Sequence, residues 1–289
     1  INYLDKFHLN IFDSNKQYNK SSQFYYNEIA SNFFDKVKIV HNKKNFLKNE
    51  DIKPIFIVGL PRSGSTLIES ILTSGSQEIF SFGESHVVNV SILEEIGPII
   101  YKNDFSINKF NFELNLENIN EKVISKYSQL SQNGKKKNQI FIDKSLENFF
   151  NIETIIHLFP KAKFLHTFRN TLDSIISIYQ SMLPELSWAH NIDDILEYIN
   201  NYIKIIHYFK IKYPNFIFDI NLENLTKDSE KLTKKIYEFC DLTWEAKILN
   251  FYKRKDLFSK TLSFNQIRSK VVKYNINKYK PYYNLLEKH

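Results

Sequence analysis

Residues 54–72 of the 289-residue chain read "PIFIVGLPRSGSTLIESIL". An apolar run, Ile55 to Val58, ends at Gly59, and Gly64 follows at the spacing of the phosphate-binding pattern G-x-x-x-x-G-K-[ST]. Where that pattern has lysine, this chain has Ser65, and a charge stands earlier in the loop, at Arg62. A tight turn of this kind aims backbone N–H groups and a helix N-terminus at one point, where they hold an anion. The hydroxyls of Ser65 and Thr66 can donate to the same point. In enzymes that use nucleoside triphosphates the lysine reaches the β- and γ-phosphates. Its absence argues against a triphosphate, and Arg62 nearer the mouth suits a shorter anion carrying a second group to be transferred. The plainer alternative is a turn that only joins strand to helix, a poorer fit to a turn crowded with Pro61, Arg62, Ser63, Ser65 and Thr66.

Three further stretches carry chemistry. In "FLHTFRNTLDSIISIYQ" an apolar strand ends at Arg169, and Asn170 and Asp173 stand where they cap and charge a helix start. Ser177 follows about two helical turns later, and an arginine fork with a hydroxyl at a helix start makes a phosphate clamp. In "SFGESHVV" Glu84 can take a proton from a hydroxyl if burial raises its pKa. It can equally be a glutamate favoured by a helix dipole, and His86 is a rival base or a residue of the helix face. In "FIDKSLENFF" an apolar strand ends at Asp143 and Lys144. Lys144 reads as a solvated strand-end lysine or a charge aimed at the site, and Asp143 as a possible Mg²⁺ ligand of a phosphotransferase.

These residues need elements to position them. Apolar runs predict strands at 55–58, 79–82, 139–142, 163–168 and 215–220, and amphipathic segments predict helices at 65–74, 86–97, 117–131, 148–158, 171–182, 192–212 and 228–240. In 192–212 the apolar stripe is Ile192, Ile195, Leu196, Ile199, Tyr202, Ile203, Ile206 and Phe209, and Pro214 stops the helix. Strand, loop and helix in repetition give an α/β fold, a P-loop-type parallel sheet with helices on both faces. Ligands of such sheets bind outside the carboxyl ends of the strands, where the Gly59–Gly64 loop lies. Residues 1–53 read as a short N-terminal segment of one or two helices and a polar linker, and 54–289 as the main domain. From about 245 the alternation breaks, and the basic, aromatic stretch "SKTLSFNQIRSKVVKYNINKYKPYY" reads as a segment laid over the domain.

"PRSGST" after an apolar strand, with "GES" some way on, resembles the sulfotransferases that use 3′-phosphoadenosine-5′-phosphosulfate (PAPS), most of all the tyrosylprotein-sulfotransferase-like branch with its bacterial members fused to tetratricopeptide repeats. The resemblance covers roughly Pro54 to Tyr283. It implies that Arg62, Ser63, Gly64, Ser65 and Thr66 bind the 5′-phosphate and the sulfuryl group. It further implies that Arg169 and Ser177 hold the 3′-phosphate, that Glu84 is the catalytic base, and that Lys144 stabilises the transferring sulfuryl group. "IRS" at 267–269 matches the family's cofactor-covering segment, so Ser269 would stabilise the transition state, and Arg268, Lys273 and Lys278 would line the nucleotide, the last two only across gaps in the match. No metal is implied. The chain departs from the pattern at "NLENL" (221–225), with Leu222 where a tyrosine often stands, and near Ser181, where some members carry a further basic residue. The implied acceptor is a hydroxyl on a peptide tyrosine, a sugar or a small alcohol. Two rivals stand beside this reading: a phosphotransferase using ATP–Mg²⁺ with Asp143 as ligand, and a nucleotide-binding or peptide-docking module with no turnover.

Composition sets the bounds. Hydrophobic residues at 43% and charged residues at 25% describe an ordinary soluble chain. The net charge of +7 suits an anionic partner, yet no nucleic-acid-reading module is present, and the dense run Lys135–Lys137 reads as a loop tip. The single cysteine, Cys240, cannot form an intrachain disulfide and reads as a small buried hydrophobe, which points to a reducing, cytoplasmic setting. No stretch is long and apolar enough to span a membrane, and no signal-peptide core opens the chain. Because the family's Golgi enzymes are membrane-anchored and disulfide-bonded, their compartment and substrate do not carry over. The chain begins with Ile rather than Met and reads as a piece of a longer protein.

Overall fold

The computed structural model describes residues 2–40, 49–75, 79–102, 112–131, 139–254 and 268–287. At its centre five parallel strands run in the order β3 (Phe80–Ser81), β5 (Ile140–Asp143), β2 (Lys53–Gly59), β6 (Lys163–Phe168) and β7 (Ile217–Asn221). Alternate residues of β2 face opposite ways, as the two-residue period of a strand dictates. Phe56 and Val58 join a core with Phe164, Ile155 and Phe209, while Ile55 and Ile57 join a second core with Ile68, Ile71 and Ile236. A strand buried on both faces reads in sequence as an unbroken apolar run, and this one does.

The helices that flank the sheet are α4 (Ser65–Leu72), α5 (Val87–Lys102), α6 (Leu116–Leu130), α7 (Ile152–Leu158), α8 (Thr171–Gln180), α9 (Ile192–Lys212), α10 (Leu222–Lys227) and α11 (Ser229–Phe239). Asparagine side chains start several of them: Asn115, Asn170, Asn191 and Asn221 each accept from a backbone N–H in the first turn that follows. The chain leaves β2 toward β3 and leaves β6 toward β7, in opposite directions across the sheet. The ends of β2 and β6 therefore flank a crevice, the place where such sheets take ligands.

Several expectations need correction. The helix expected at 148–158 is a 3₁₀ turn over Leu146–Asn151 followed by α7. On α9, Ile203 is 45% exposed, while Tyr198 and Ile205 lie in the core. Ile195, Ile199, Tyr202, Ile206 and Phe209 of the expected stripe are buried, and the buried face extends beyond it because α9 is covered on more than one side. The N-terminal segment holds α1 (Asn2–Ser14), α2 (Lys16–Phe24), a π-helical turn (Tyr25–Ala30) and α3 (Ser31–Lys36), then turns into β1 (Val37–Val40). The β-branched "VKIV" pairs in parallel with β4 (Phe112–Asn115), Val37 opposite Phe112, a small sheet that the sequence reading did not expect. Ile29, Ala30, Phe33 and Phe34 complete the first core.

Polar contacts of His8 and Asp5 fasten α1 to the rest, the Asp5 carboxylate accepting from the Tyr179 hydroxyl. Buried His8 gives Nε2–H to the Tyr179 carbonyl at 2.9 Å, and its Nδ1 lies 3.0 Å from Nδ1 of His190. Burial lowers the pKa of both rings and pushes that of His190 down to about 4, with the neighbouring His8 adding to the effect. Cys240 is 6% exposed in the second core, and burial first of all pushes its thiol up to about 12. Lys135–Lys137 lies outside the described residues. Among the described residues no helix is long and apolar enough to cross a membrane.

Candidate functional site

The loop between β2 and α4 packs closely against its neighbours at both glycines. Gly59 pairs with Thr167 of β6, and a Cβ there would lie 2.2 Å from the Thr167 carbonyl oxygen. Gly64 caps α4 with φ +94°, and a Cβ on it would come within 2.7 Å of Leu222 Cδ1. Leu222, at the position where the resemblance expects a tyrosine, thus packs on the loop's second glycine. Arg62 adopts φ 66°, a left-handed conformation that costs a non-glycine residue. Ser63 Oγ donates to the Leu60 carbonyl (2.6 Å) and lies 2.8 Å from Thr167 Oγ1, so this hydroxyl braces the loop from within. Ser65 and Thr66 are buried in the first turn of α4.

Beside the loop, at the end of β5, Lys144 is 2% exposed and donates to Glu84 Oε1 at 2.6 Å. A second carboxylate, Glu69 Oε2 of α4, lies 3.7 Å from the same ammonium, and its Oε1 accepts from Ser81 Oγ at 2.5 Å. The backbone N–H of Lys144 donates to Gly83, which binds the "GES" turn to the end of β5. Lys144 is therefore not a solvated strand-end lysine.

The two rival residues have other duties. Asp143 is fully buried; Oδ2 accepts from Ser85 Oγ (2.5 Å) and Tyr127 OH (2.6 Å), and Oδ1 from the Ser145 N–H (2.8 Å) and Asn148 Nδ2 (3.4 Å). Such a carboxylate holds β5 to the turn after β3, and this hydrogen-bonding speaks against a metal-ligand role. His86 is hydrogen-bonded through Nδ1 to Glu147, an interaction that raises the imidazole pKa against the opposing pull of burial. A cationic imidazole has no lone pair with which to accept a proton.

Across the crevice, Arg169 is 8% exposed at the end of β6. One terminal nitrogen donates to the Asp173 carbonyl at 2.6 Å, while Nε is buried with no hydrogen-bond partner. Arg62 and Arg169 are close enough that burial first, and Arg169 second, lower the pKa of Arg62. Asn170 caps α8, whereas the Asp173 carboxylate leaves the cap and accepts from Tyr274 OH and Tyr283 OH, each at 2.6 Å. The bond to Asp173 is also the first cause that pushes Tyr283 up to about 12. Tyr279 donates to Ser177 Oγ at 3.2 Å, and its ring centroid lies 5.2 Å from the Arg169 guanidinium carbon. The C-terminal segment thus lies as a tyrosine strap across Arg169 and Ser177. On it Arg268, Ser269, Lys273 and Lys278 are exposed, with the Lys278 ammonium 4.9 Å from the Tyr279 ring centroid. Ile267 of "IRS" lies outside the described residues.

A cavity of about 230 Å³ opens on the first-core side of the loop, lined by Leu60, Ser63, Arg169, Tyr202 and His207 among others. Its inner wall includes His166, hydrogen-bonded to Asp219 (2.7 Å) and the Tyr202 hydroxyl, with a pKa that burial lowers against the pull of Asp219. Glu84 and Lys144 are not among the residues that line it. The sequence reading missed Glu69, Glu147, Tyr274, Tyr279 and Tyr283. Only the tyrosines left a signal, as aromatic residues at irregular spacing in a stretch too polar for a core.

Comparisons with known proteins bear on the family and the fold. The sequence profile described as the sulfotransferase family matches residues 54–246. An uncharacterized protein of Aquifex aeolicus (strain VF5) is 29% identical over 240 residues, covering 80% of this chain and 31% of that protein. The chain therefore spans about a third of that relative's length. Among solved structures, the sulfotransferase domain from the Synechococcus PCC 7002 olefin synthase superposes with a TM-score of 0.56 at 19% identity, over 82% of this chain and 90% of that one. The sulfotransferase domain from the curacin biosynthetic pathway gives 0.50 at 18% identity, over 79% and 86%. At these identities the likeness is one of fold, and the profile match carries the family. With the loop, the strand-end arginine and the lysine all inside or bordering the matched span, the chain belongs to the sulfotransferase family.

Proposed function

We propose that the chain transfers a sulfuryl group from PAPS to an acceptor hydroxyl, with Glu84 as general base. The observation that carries the donor assignment is Arg169, nine-tenths buried, with Nε lacking a partner and a second guanidinium, Arg62, nearby. A buried guanidinium with a second, half-buried one nearby is costly unless an anion offsets the charge. The N-terminus of α4 adds its partial positive charge to the same crevice. Residues of this kind fit a donor with two separated phosphates. Arg169 and Ser177 would hold the 3′-phosphate, and the backbone of Ser63–Thr66 with Arg62 the 5′-phosphate end. Arg268, Lys273 and Lys278 would border the nucleotide, and Ser269 would stabilise charge in the transition state.

When bound, PAPS supplies an activated sulfuryl group. Lys144 and Arg62 offset charge that grows on oxygen as transfer proceeds, which is electrostatic preorganisation. Glu84 accepts the acceptor's proton, and at 43% side-chain exposure it is open to an approaching hydroxyl. Acceptor chemistry stays at the level of a hydroxyl group, on a peptide tyrosine, a sugar or a small alcohol. With one buried cysteine, a cytoplasmic setting is the matching proposal.

The test is ligand-linked stability. The desulfated product of PAPS should raise the melting temperature more than ATP–Mg²⁺ at equal concentration. Arg169→Ala should narrow the preference for the product over its analogue lacking the 3′-phosphate by roughly 1.5–3 kcal/mol, the value of a bond to a charged group. A larger shift with ATP–Mg²⁺, or equal weakening of both ligands by Arg169→Ala, would overturn the assignment.

A further inference from the structure

Lys144 has two carboxylates and the reaction leaves it with one. Its side chain is 2% exposed, with the ammonium 2.6 Å from Glu84 and 3.7 Å from Glu69. The two partners are built differently. Glu84 sits in the turn after β3 and is 43% exposed, so it can turn toward solvent or an acceptor. Glu69 is 17% exposed, rises from the second turn of α4, and is braced by the Ser81 hydroxyl of β3 at 2.5 Å. A carboxylate that takes a proton ceases to be a counter-ion, and a buried ammonium without one is strongly disfavoured. The ammonium has three donors, and a shift of about 1 Å brings Glu69 to full hydrogen-bonding distance.

We propose that Glu69 is a positioning residue for sulfuryl transfer: it keeps Lys144 charged and in place while Glu84 leaves the ammonium to take the acceptor's proton. The inference rests on the reading of Glu84 as base. The acceptor oxygen–sulfur bond forms as the bond from sulfur to the donor's phosphate oxygen breaks, and the desulfated nucleotide leaves with that electron pair. The acceptor proton ends on Glu84, and Lys144 and Glu69 keep their charges throughout.

The first test needs no turnover. Melting temperatures of Glu84→Gln, Glu69→Gln and the double variant form a cycle. Each single variant leaves Lys144 one carboxylate and should melt within about 2 °C of the parent. The double variant strips both and should fall by several degrees more than their sum. Additive shifts would overturn the proposal, even where Glu84→Gln abolishes activity and so upholds Glu84 as base. A non-additive cycle beside an active Glu84→Gln variant would leave Glu69 as counter-ion and remove Glu84 as base.

The second test is kinetic. Glu69→Gln should lower kcat about tenfold or more with KM for donor and acceptor within about twofold, the pattern of an interaction made in the transition state. In a Lys144→Ala background it should have no further effect on kcat. Ser81→Ala keeps the carboxylate and should keep most of the rate. Equal losses in Ser81→Ala and Glu69→Gln would assign the effect to the packing of β3 and overturn the proposal.

Discussion

Glu84 and His86 stand two residues apart in different surroundings. His86 is drawn toward its cationic form by Glu147, whereas Glu84 faces a buried lysine and open space. Glu84→Gln keeps size and hydrogen bonding but cannot take a proton, so the rate of sulfuryl transfer should fall by about 10²–10⁴ with product affinity nearly unchanged. His86→Asn should be mild in the same assay; the reverse ranking would move the role to His86. At this scale the sequence displayed the residue types and hid their partners. Lys144 read equally well as solvated, because the carboxylates around it come from α4 and from the turn after β3, far away in the chain. Asp143 stood open to a rival reading as a metal ligand because a strand-end aspartate has that look until Tyr127, Ser85 and Asn148 are seen around it.

The central strands and α9 were legible because each is decided by a long, one-sided or fully apolar pattern. β1 and β4 were not, since four residues carry too little pattern to separate a strand from a helix end. Gly59 shows how an element boundary becomes specific. A Cβ would strike the backbone of Thr167, which cannot move without shifting β6. Gly59→Ala should therefore destabilise the fold by roughly 1–3 kcal/mol, read as a lower denaturant midpoint. Gly64→Ala meets only the flexible end of Leu222 and should cost less in packing, though φ remains unfavourable. The tyrosine strap is the element that the sequence least disclosed. Its anchor is Asp173, so Asp173→Asn should weaken two charge-assisted bonds, each worth about 1.5–3 kcal/mol. Limited proteolysis should then cut within 268–287 sooner than in the parent, and affinity for the desulfated nucleotide should fall. Unchanged cleavage would mean that the strap is held by something else.

At the scale of the whole molecule the N-terminal helices share the core of the sheet, and the His8–His190 contact gives their docking a pH dependence. The His190 pKa is depressed in the folded chain, from near 6.5 down to about 4, through burial and then His8. An unfolded chain binds that proton more readily, so the stability linked to His190 is complete above about pH 6.5 and is lost as pH falls toward 4. His8 shifts in the same direction, and Asp5 and Tyr179 are the other titratable groups at the contact. Between pH 7.5 and 5 the parent should lose more melting temperature than His190→Asn; equal losses would assign the acid sensitivity to other groups. This coupling was illegible in sequence, because a lone histidine in each of two helical stretches says nothing of the other.

Cys240 has a practical consequence. As the chain's single cysteine, 6% exposed and with its thiol pushed up to about 12, it offers almost no thiolate at neutral pH, and thiolate is the form that reacts. The folded chain should leave a thiol reagent nearly untouched and react with it once per molecule only after denaturation. That silence makes the background clean for a reporter. Val272, 72% exposed on the strap, can be replaced, Val272→Cys, and labelled alone with an environment-sensitive dye. Its emission would then follow the strap directly as nucleotide is added, in a molecule whose native cysteine stays dark.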